Sequence, residues 1–87
     1  MHYLYILKSL KDCKLYIGYT NSIADRIREH NNGKVLSTKA KRPLVIVYCE
    51  IYRTEKEARE RGCKLKQFGR VYSQLVRRIR RSIDSAV

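Results

Sequence analysis

Residues 3–18 read Tyr3-Leu4-Tyr5-Ile6-Leu7-Lys8-Ser9-Leu10-Lys11-Asp12-Cys13-Lys14-Leu15-Tyr16-Ile17-Gly18, two β-branched and aromatic runs on either side of a short polar connection. This pattern predicts a β-hairpin. If Leu10 faces Cys13 across a Lys11-Asp12 turn, the constant index sum of antiparallel partners sets Leu7 opposite Tyr16 and Tyr5 opposite Gly18. Alternation then sends Leu4, Ile6, Leu15, Ile17 and Tyr19 to one face and Tyr3, Tyr5, Leu7, Tyr16 and Gly18 to the other. Tyr5 and Tyr16 become diagonal neighbours, about 5 to 8 Å apart at Cβ. Gly18, lacking a side chain, leaves space beside Tyr5 that suits the floor of a site.

Working outward, Thr20-Asn21-Ser22 supplies helix-capping side chains and Asp25 a favourable first-turn charge, so a helix is expected over 23–30, ending at Asn31-Asn32-Gly33. Ile23 and Ile27 face its core side. Arg26 and His30, four residues apart, share the adjoining stripe and reach toward the open hairpin face. The simpler readings are a solvated charge for Arg26 and a helix-terminal contact for His30. The segment from Lys34 to Pro43 carries Lys34, Ser37, Thr38, Lys39, Lys41 and Arg42, a loop rich in phosphate donors or an ordinary basic connection.

Leu44 to Tyr52 is the longest strand signal and is expected to be a well-covered member of the sheet. Glu50, on the face of Tyr48 and Tyr52, reads as a paired structural carboxylate in preference to a ligand. Thr54-Glu55-Lys56-Glu57 is a capping box opening a second helix to about residue 68, with Ala58, Leu65 and Phe68 on its buried stripe. Gly62 within that stripe costs about 1 kcal/mol relative to alanine, which points to close packing. A basic third helix is expected over 71–83, with Tyr72, Leu75, Val76, Ile79 and Ile83 on one face and Arg77, Arg78, Arg80 and Arg81 off it. The expected architecture is therefore α+β, a three-stranded sheet flanked by helices in the order β-β-α-β-α-α, with residues 1–87 forming a single domain.

Composition narrows the function. Twenty Lys and Arg against eight Asp and Glu give a net charge of +12, a density that favours a polyanionic partner, nucleic acid ahead of an anionic membrane. A chain of 87 residues buries only about 60 to 65% of its unfolded surface, so the core is thin. No stretch is long and apolar enough to span a bilayer and the amino terminus lacks a basic secretory start, so a cytoplasmic location is expected. Cys13, Cys49 and Cys63 are odd in number and widely spaced, which suggests neither a disulfide framework nor a zinc site.

Acidic residues are the scarce resource. With Asp12, Asp25, Glu55, Glu57 and Asp84 assigned to turns and helix ends, Glu29, Glu50 and Glu60 remain. That set disfavours a two-metal nuclease, whose ions sit about 4 Å apart among several carboxylates. With no Gly-rich phosphate loop and no Ser or Cys beside a base, the other common hydrolytic layouts lack their parts.

Tyr3-Leu4-Tyr5-Ile6-Leu7 followed by Leu15-Tyr16-Ile17-Gly18 resembles the paired motifs of the GIY-YIG nucleases. The resemblance continues through Arg26, His30, the strand from Pro43 to Glu50, and Ala58-Arg59-Glu60 with Lys64, covering about residues 2–68. It is most similar to short stand-alone members related to the nuclease domain found in DNA excision repair. Tyr3 replaces the usual first glycine, Tyr19 stands where several members have lysine, and Ser73 or Gln74 stand in for a late asparagine. The resemblance implies an endonuclease that hydrolyses phosphodiester bonds with one Mg²⁺ or Mn²⁺ on Glu60. Tyr16 would then be the general base or water orienter, Tyr5 and His30 would support the nucleophile or phosphate, and Arg26 would stabilise phosphate charge. Ionising a phenol of pKa near 10 at pH 7 costs about 4 kcal/mol unless cations lower that value. Lys34, Thr38, Lys39, Lys41, Arg42 and Lys64 are the expected nucleic-acid contacts, with DNA preferred over RNA, no membrane association, and a monomer or weak homodimer. The alternative is a module of the same fold that binds nucleic acid without cutting it.

Overall fold

A computed structural model describes residues 1–87. Strands β1 (His2–Ser9), β2 (Leu15–Thr20) and β3 (Leu44–Tyr52) form one antiparallel sheet in the order β2-β1-β3. Helix α1 (Ile23–Asn31) precedes β3, and α2 (Glu55–Leu65), α3 (Arg70–Arg78) and α4 (Arg80–Ser85) follow it. The expected class and order hold, with the basic third helix divided in two at Ile79, whose φ of −101° and ψ of 17° leave helical geometry.

The hairpin has the anticipated register, Tyr5 opposite Gly18 and Leu7 opposite Tyr16. Its turn is wider than a two-residue connection. The Leu10 amide bonds to the Pro43 carbonyl at 2.9 Å, the Cys13 amide to the Ser9 carbonyl at 2.9 Å, and Cys13 adopts a φ of 64°. Lys11-Asp12 lacks the Gly or Asn that a tight type I′ turn requires at positive φ, so a four-residue loop, Leu10 to Cys13, makes the reversal. Ser9, fully buried, closes the loop: its hydroxyl donates to the Lys41 carbonyl at 2.6 Å and accepts from the Lys11 amide at 3.1 Å.

β1 is the central strand, and the expectation of a well-covered 44–52 strand is corrected: β3 lies at the edge, with Ile46 and Ile51 exposed. A register shift between Ile6 and Leu7 leaves Val47 as the extra residue of a bulge in β3. Continuous hydrophobicity therefore reflects two partly covered faces, not a central position.

Each face of the sheet carries a cluster. On one, Leu4 and Ile6 pack with Leu65 of α2, Leu75 of α3, and Ile79 and Ile83 at α4. On the other, Tyr5, Leu7 and Leu44 pack with Tyr16 and with Ile23 and Ile27 of α1. A Cβ built on Gly62 would lie 3.4 Å from Leu4 Cδ2, which accounts for glycine in the buried stripe of α2. Phe68, expected in that stripe, is 60% exposed because α2 ends at Leu65 and residue 68 turns the chain at a φ of 55°. The Thr54 hydroxyl caps α2, accepting from the Glu57 amide at 3.3 Å.

Glu50 is the structural carboxylate anticipated. It accepts from the Tyr48 and Tyr52 hydroxyls, each at 2.6 Å, and from Arg61 Nε at 3.0 Å. Burial alone would raise its pKa, but Arg61 and then the two phenols outweigh that and hold it below the usual value. Both phenols are pushed up in turn by burial and by the Glu50 charge, Tyr52 to about 12. The three cysteines are free thiols.

Candidate nucleic-acid interface

The largest cavity, about 730 Å³, wraps the free edge of β2. Tyr5, Tyr16 and Gly18 line it from the α1 side of the sheet, and Leu15, Ile17 and Tyr19 from the other. Arg26 and His30 enter from α1, Val35, Ser37 and Thr38 from the following loop, and Lys66 and Phe68 from the turn after α2. Alternation along β2 explains how one strand serves both walls: being at the edge, it has no neighbour to separate them.

At the base lies a chain of polar contacts. The Tyr5 hydroxyl is 3.0 Å from His30 Nε2, and His30 Nδ1 is 2.7 Å from the Thr38 hydroxyl. Thr38 Oγ1 donates onward to the Val35 carbonyl at 3.5 Å. His30 is 5% exposed, and burial, reinforced by the Arg26 charge, pushes its pKa below the ordinary value, so a neutral imidazole is favoured. A neutral ring donates from one nitrogen only. With Thr38 donating to Val35, the consistent assignment has His30 Nδ1–H donating to Thr38 and Nε2 accepting the Tyr5 proton. The Tyr5 oxygen is then open to Arg26, whose guanidinium lies beside it. Burial raises the Tyr5 pKa more than Arg26 lowers it. Tyr5 is thus a neutral phenol whose proton is committed to His30, with the Arg26 charge beside its oxygen.

Gly18 is required by the same group. A Cβ there would stand 2.5 Å from Tyr5 Cζ and nearer still to the hydroxyl. The space expected above Gly18 is therefore filled by the Tyr5 ring itself.

Of the expected catalytic residues, the structure gathers Tyr5, Tyr16, Arg26 and His30 in this cleft. Glu60 is not with them. It is exposed on α2, the helix packed on the Leu4 and Ile6 face, takes part in no hydrogen bond or ion pair, and does not line the cavity. The periodicity of α2 is the reason: Ala58, Gly62 and Leu65 are its buried positions, and residue 60 falls off that stripe. The donor set also fails to fit Mg²⁺ or Mn²⁺. Such ions take hard oxygen ligands, carboxylates above all, whereas none of the lining side chains is Asp or Glu and His30 is occupied at both nitrogens. Glu29, the nearest acid on α1, pairs with Arg26 Nη1 at 3.4 Å.

The expected nucleic-acid contacts divide. Thr38 is 1% exposed and holds His30, so it is a positioning residue, not a surface contact. Lys41 pairs with Asp12 at 2.9 Å, and Arg42 Nε donates to the Lys39 carbonyl at 2.8 Å. Lys34, Lys39 and Lys64 are exposed. Sequence reasoning misses Lys66, Phe68 and Tyr19 as lining residues: only the end of α2 at Leu65 brings residues 66 and 68 to the edge of β2.

The model of the GIY-YIG catalytic domain matches residues 1–70. The chain belongs to the GIY-YIG family. Among curated GIY-YIG relatives, UPF0213 protein SH2523 of Staphylococcus haemolyticus is 46% identical over 70 residues, spanning 79% of this chain and 84% of that protein. UPF0213 protein YazA of Bacillus subtilis is 33% identical over 87 residues, 99% of this chain and 87% of the relative. The solution NMR structure of the UPF0213 protein BH0048 from Bacillus halodurans matches with a TM-score of 0.52 and 30% identity, covering 86% of this chain and 80% of that one. The GIY-YIG fold is nuclease-type, and no helix of this member is long and apolar enough to cross a membrane.

Proposed function

We propose that this GIY-YIG protein is a nucleic-acid-binding module whose cleft receives a backbone phosphate on Arg26 and Lys66 without a resident divalent ion. The observation that supports this reading is the composition of the cleft, which holds two cationic side chains and three tyrosines but no carboxylate. Arg26, paired through Nη1 with Glu29 at 3.4 Å, presents its remaining N–H groups to phosphate oxygens. Tyr16, Tyr19 and Phe68 offer faces on which bases stack, each worth about 1 to 3 kcal/mol in such sites. We favour DNA over RNA as the partner, and the assay compares both.

The test is fluorescence anisotropy of labelled DNA and RNA oligonucleotides with either EDTA or Mg²⁺ present. Affinity is expected to survive EDTA, to fall steeply with salt, and to drop about tenfold in Arg26→Ala, as for loss of one charge-assisted bond of about 1.5 kcal/mol. Binding that needs Mg²⁺, or that ignores Arg26→Ala, overturns the reading. Family membership and the meeting of Tyr5, Tyr16, Arg26 and His30 favour a second reading, a metal-dependent endonuclease. Cutting of plasmid or structured DNA in Mn²⁺ that disappears in both Tyr16→Phe and Glu60→Ala would establish it.

A further inference from the structure

Beyond the cleft, α2 and α3 enclose a groove floored in part by Val71, which borders two adjoining cavities of about 210 and 340 Å³. Arg61 and Lys64 contribute from α2, and Arg70, Gln74 and Arg78 from α3. Residues 70, 74 and 78 recur every four positions and so stand on one side of α3, a row about 12 Å long at 1.5 Å per residue. No acid lines either cavity. The Arg61 charge is offset by Glu50 at 3.0 Å, whereas Lys64, Arg70 and Arg78 are exposed and belong to no ion pair. Arg78 is aimed by a hydrogen bond from Nη2 to the Tyr48 hydroxyl at 3.2 Å. The amino terminus of α3 opens here with no side-chain cap, adding the positive end of its dipole to the same groove. The turn joining the helices links groove and cleft, since Lys66 and Phe68 line the cleft while Gln67 and Gly69 line the groove.

We propose that the α2–α3 groove is a second phosphate-backbone track, on which Lys64, Arg70 and Arg78 carry a nucleic-acid strand past the α2–α3 turn. An amphipathic membrane contact fits less well, because the apolar side of α3 is spent on the core through Leu75 and the groove offers polar walls. The track does not depend on the cleft reading. A duplex long enough to occupy both surfaces gains from both, and a short oligonucleotide held in the cleft gains nothing from the groove.

The experiment measures binding of a duplex of about 20 base pairs and of a short single-stranded oligonucleotide across a salt series, using wild type, Lys64→Ala/Arg70→Ala/Arg78→Ala and Arg26→Ala. Losing three phosphate contacts is expected to reduce the slope of log affinity against log salt by about 2 to 3 for the duplex, with short-oligonucleotide binding unchanged. Lys64→Arg/Arg70→Lys/Arg78→Lys should restore the duplex slope, which a merely structural role would not explain. Arg70→Glu, an exposed change that suits a helix amino terminus, provides a second variant and should weaken duplex binding alone. Duplex affinity and slope equal to wild type in the triple variant overturn the proposal, as does loss confined to sedimentation with phosphatidylserine vesicles. If Arg26→Ala changes nothing while the triple variant loses the duplex, the cleft reading fails and the groove stands.

Discussion

Replacing Gly18 by alanine adds one methyl group to an edge strand, a change that in most strands is neutral or favourable. Alanine narrows the unfolded ensemble, worth about 0.4 to 1 kcal/mol in its favour. Here the new Cβ would sit 2.5 Å from Tyr5 Cζ, and the ring it meets is 3% exposed on the central strand, with little room to withdraw. Forcing a methyl group into a packed site costs about 1 to 3 kcal/mol. A displaced ring also surrenders its bond to His30 at 3.0 Å, about 1 kcal/mol more. The net expectation is a loss of about 2 kcal/mol, a fall in Tm of roughly 10 °C for a domain this small. Urea denaturation of Gly18→Ala, Tyr5→Leu and the double variant isolates the cause. If the ring is the obstacle, Gly18→Ala becomes nearly neutral or stabilising once Tyr5 is leucine. An equal cost in both backgrounds would refute the steric argument.

Other expectations follow from the same contacts. The folded pKa of His30 is depressed, so the unfolded chain binds more protons as pH falls below its ordinary value near 6.5, and stability should decline from there until the folded ring also protonates; His30→Gln should flatten the decline between pH 7.5 and 5.5 in denaturation midpoints, and an unchanged slope would contradict it. Glu50 is the acid-side counterpart: its carboxyl is held below 4.5, so its contribution is present above that value and lost as pH falls through the folded pKa, and Glu50→Gln should remove that part of the acid limb. Asn31 bonds both backbone groups of buried Leu44, accepting its amide at 2.8 Å and donating to its carbonyl at 2.9 Å. Asn31→Ala should therefore cost about 2 kcal/mol in urea denaturation, and a loss under about 0.5 kcal/mol would show that water replaces the side chain.

Much of the fold is visible in local patterns. Alternation and the constant index sum set the hairpin register, which in turn places Tyr5 against Gly18, and the capping box at Thr54 fixes the start of α2. What sequence spacing leaves open is long-range. Whether the 44–52 run is central or lateral depends on which strand β1 pairs with on its second side, and both faces of β3 are apolar enough for either. Asn31 looks like a helix stop because nothing local reveals that it acts as a backbone mimic against residue 44. The cleft is half legible: Arg26 and His30 share a helix stripe aimed at the hairpin, a relation four residues long. Glu60 illustrates the opposite case. Its motif position suggests a ligand, while the apolar spacing of Ala58, Gly62 and Leu65 already turns residue 60 away from the sheet.

Lys8 is 8% exposed on the central strand, and its ammonium donates to the Ile83 carbonyl at 2.7 Å and the Ala86 carbonyl at 3.1 Å. The ammonium of the central strand thereby finds its acceptors in the carbonyls of α4 and the residue after it, tying β1 directly to the carboxy-terminal helix. Anyone trimming the molecule to the hairpin, α1, β3 and α2 would remove both acceptors of Lys8 and strip Leu4 and Ile6 of the cover that Leu75, Ile79 and Ile83 provide, leaving Leu65. The carboxy-terminal helices are the keystone of this small protein, and tags belong beyond Ala86.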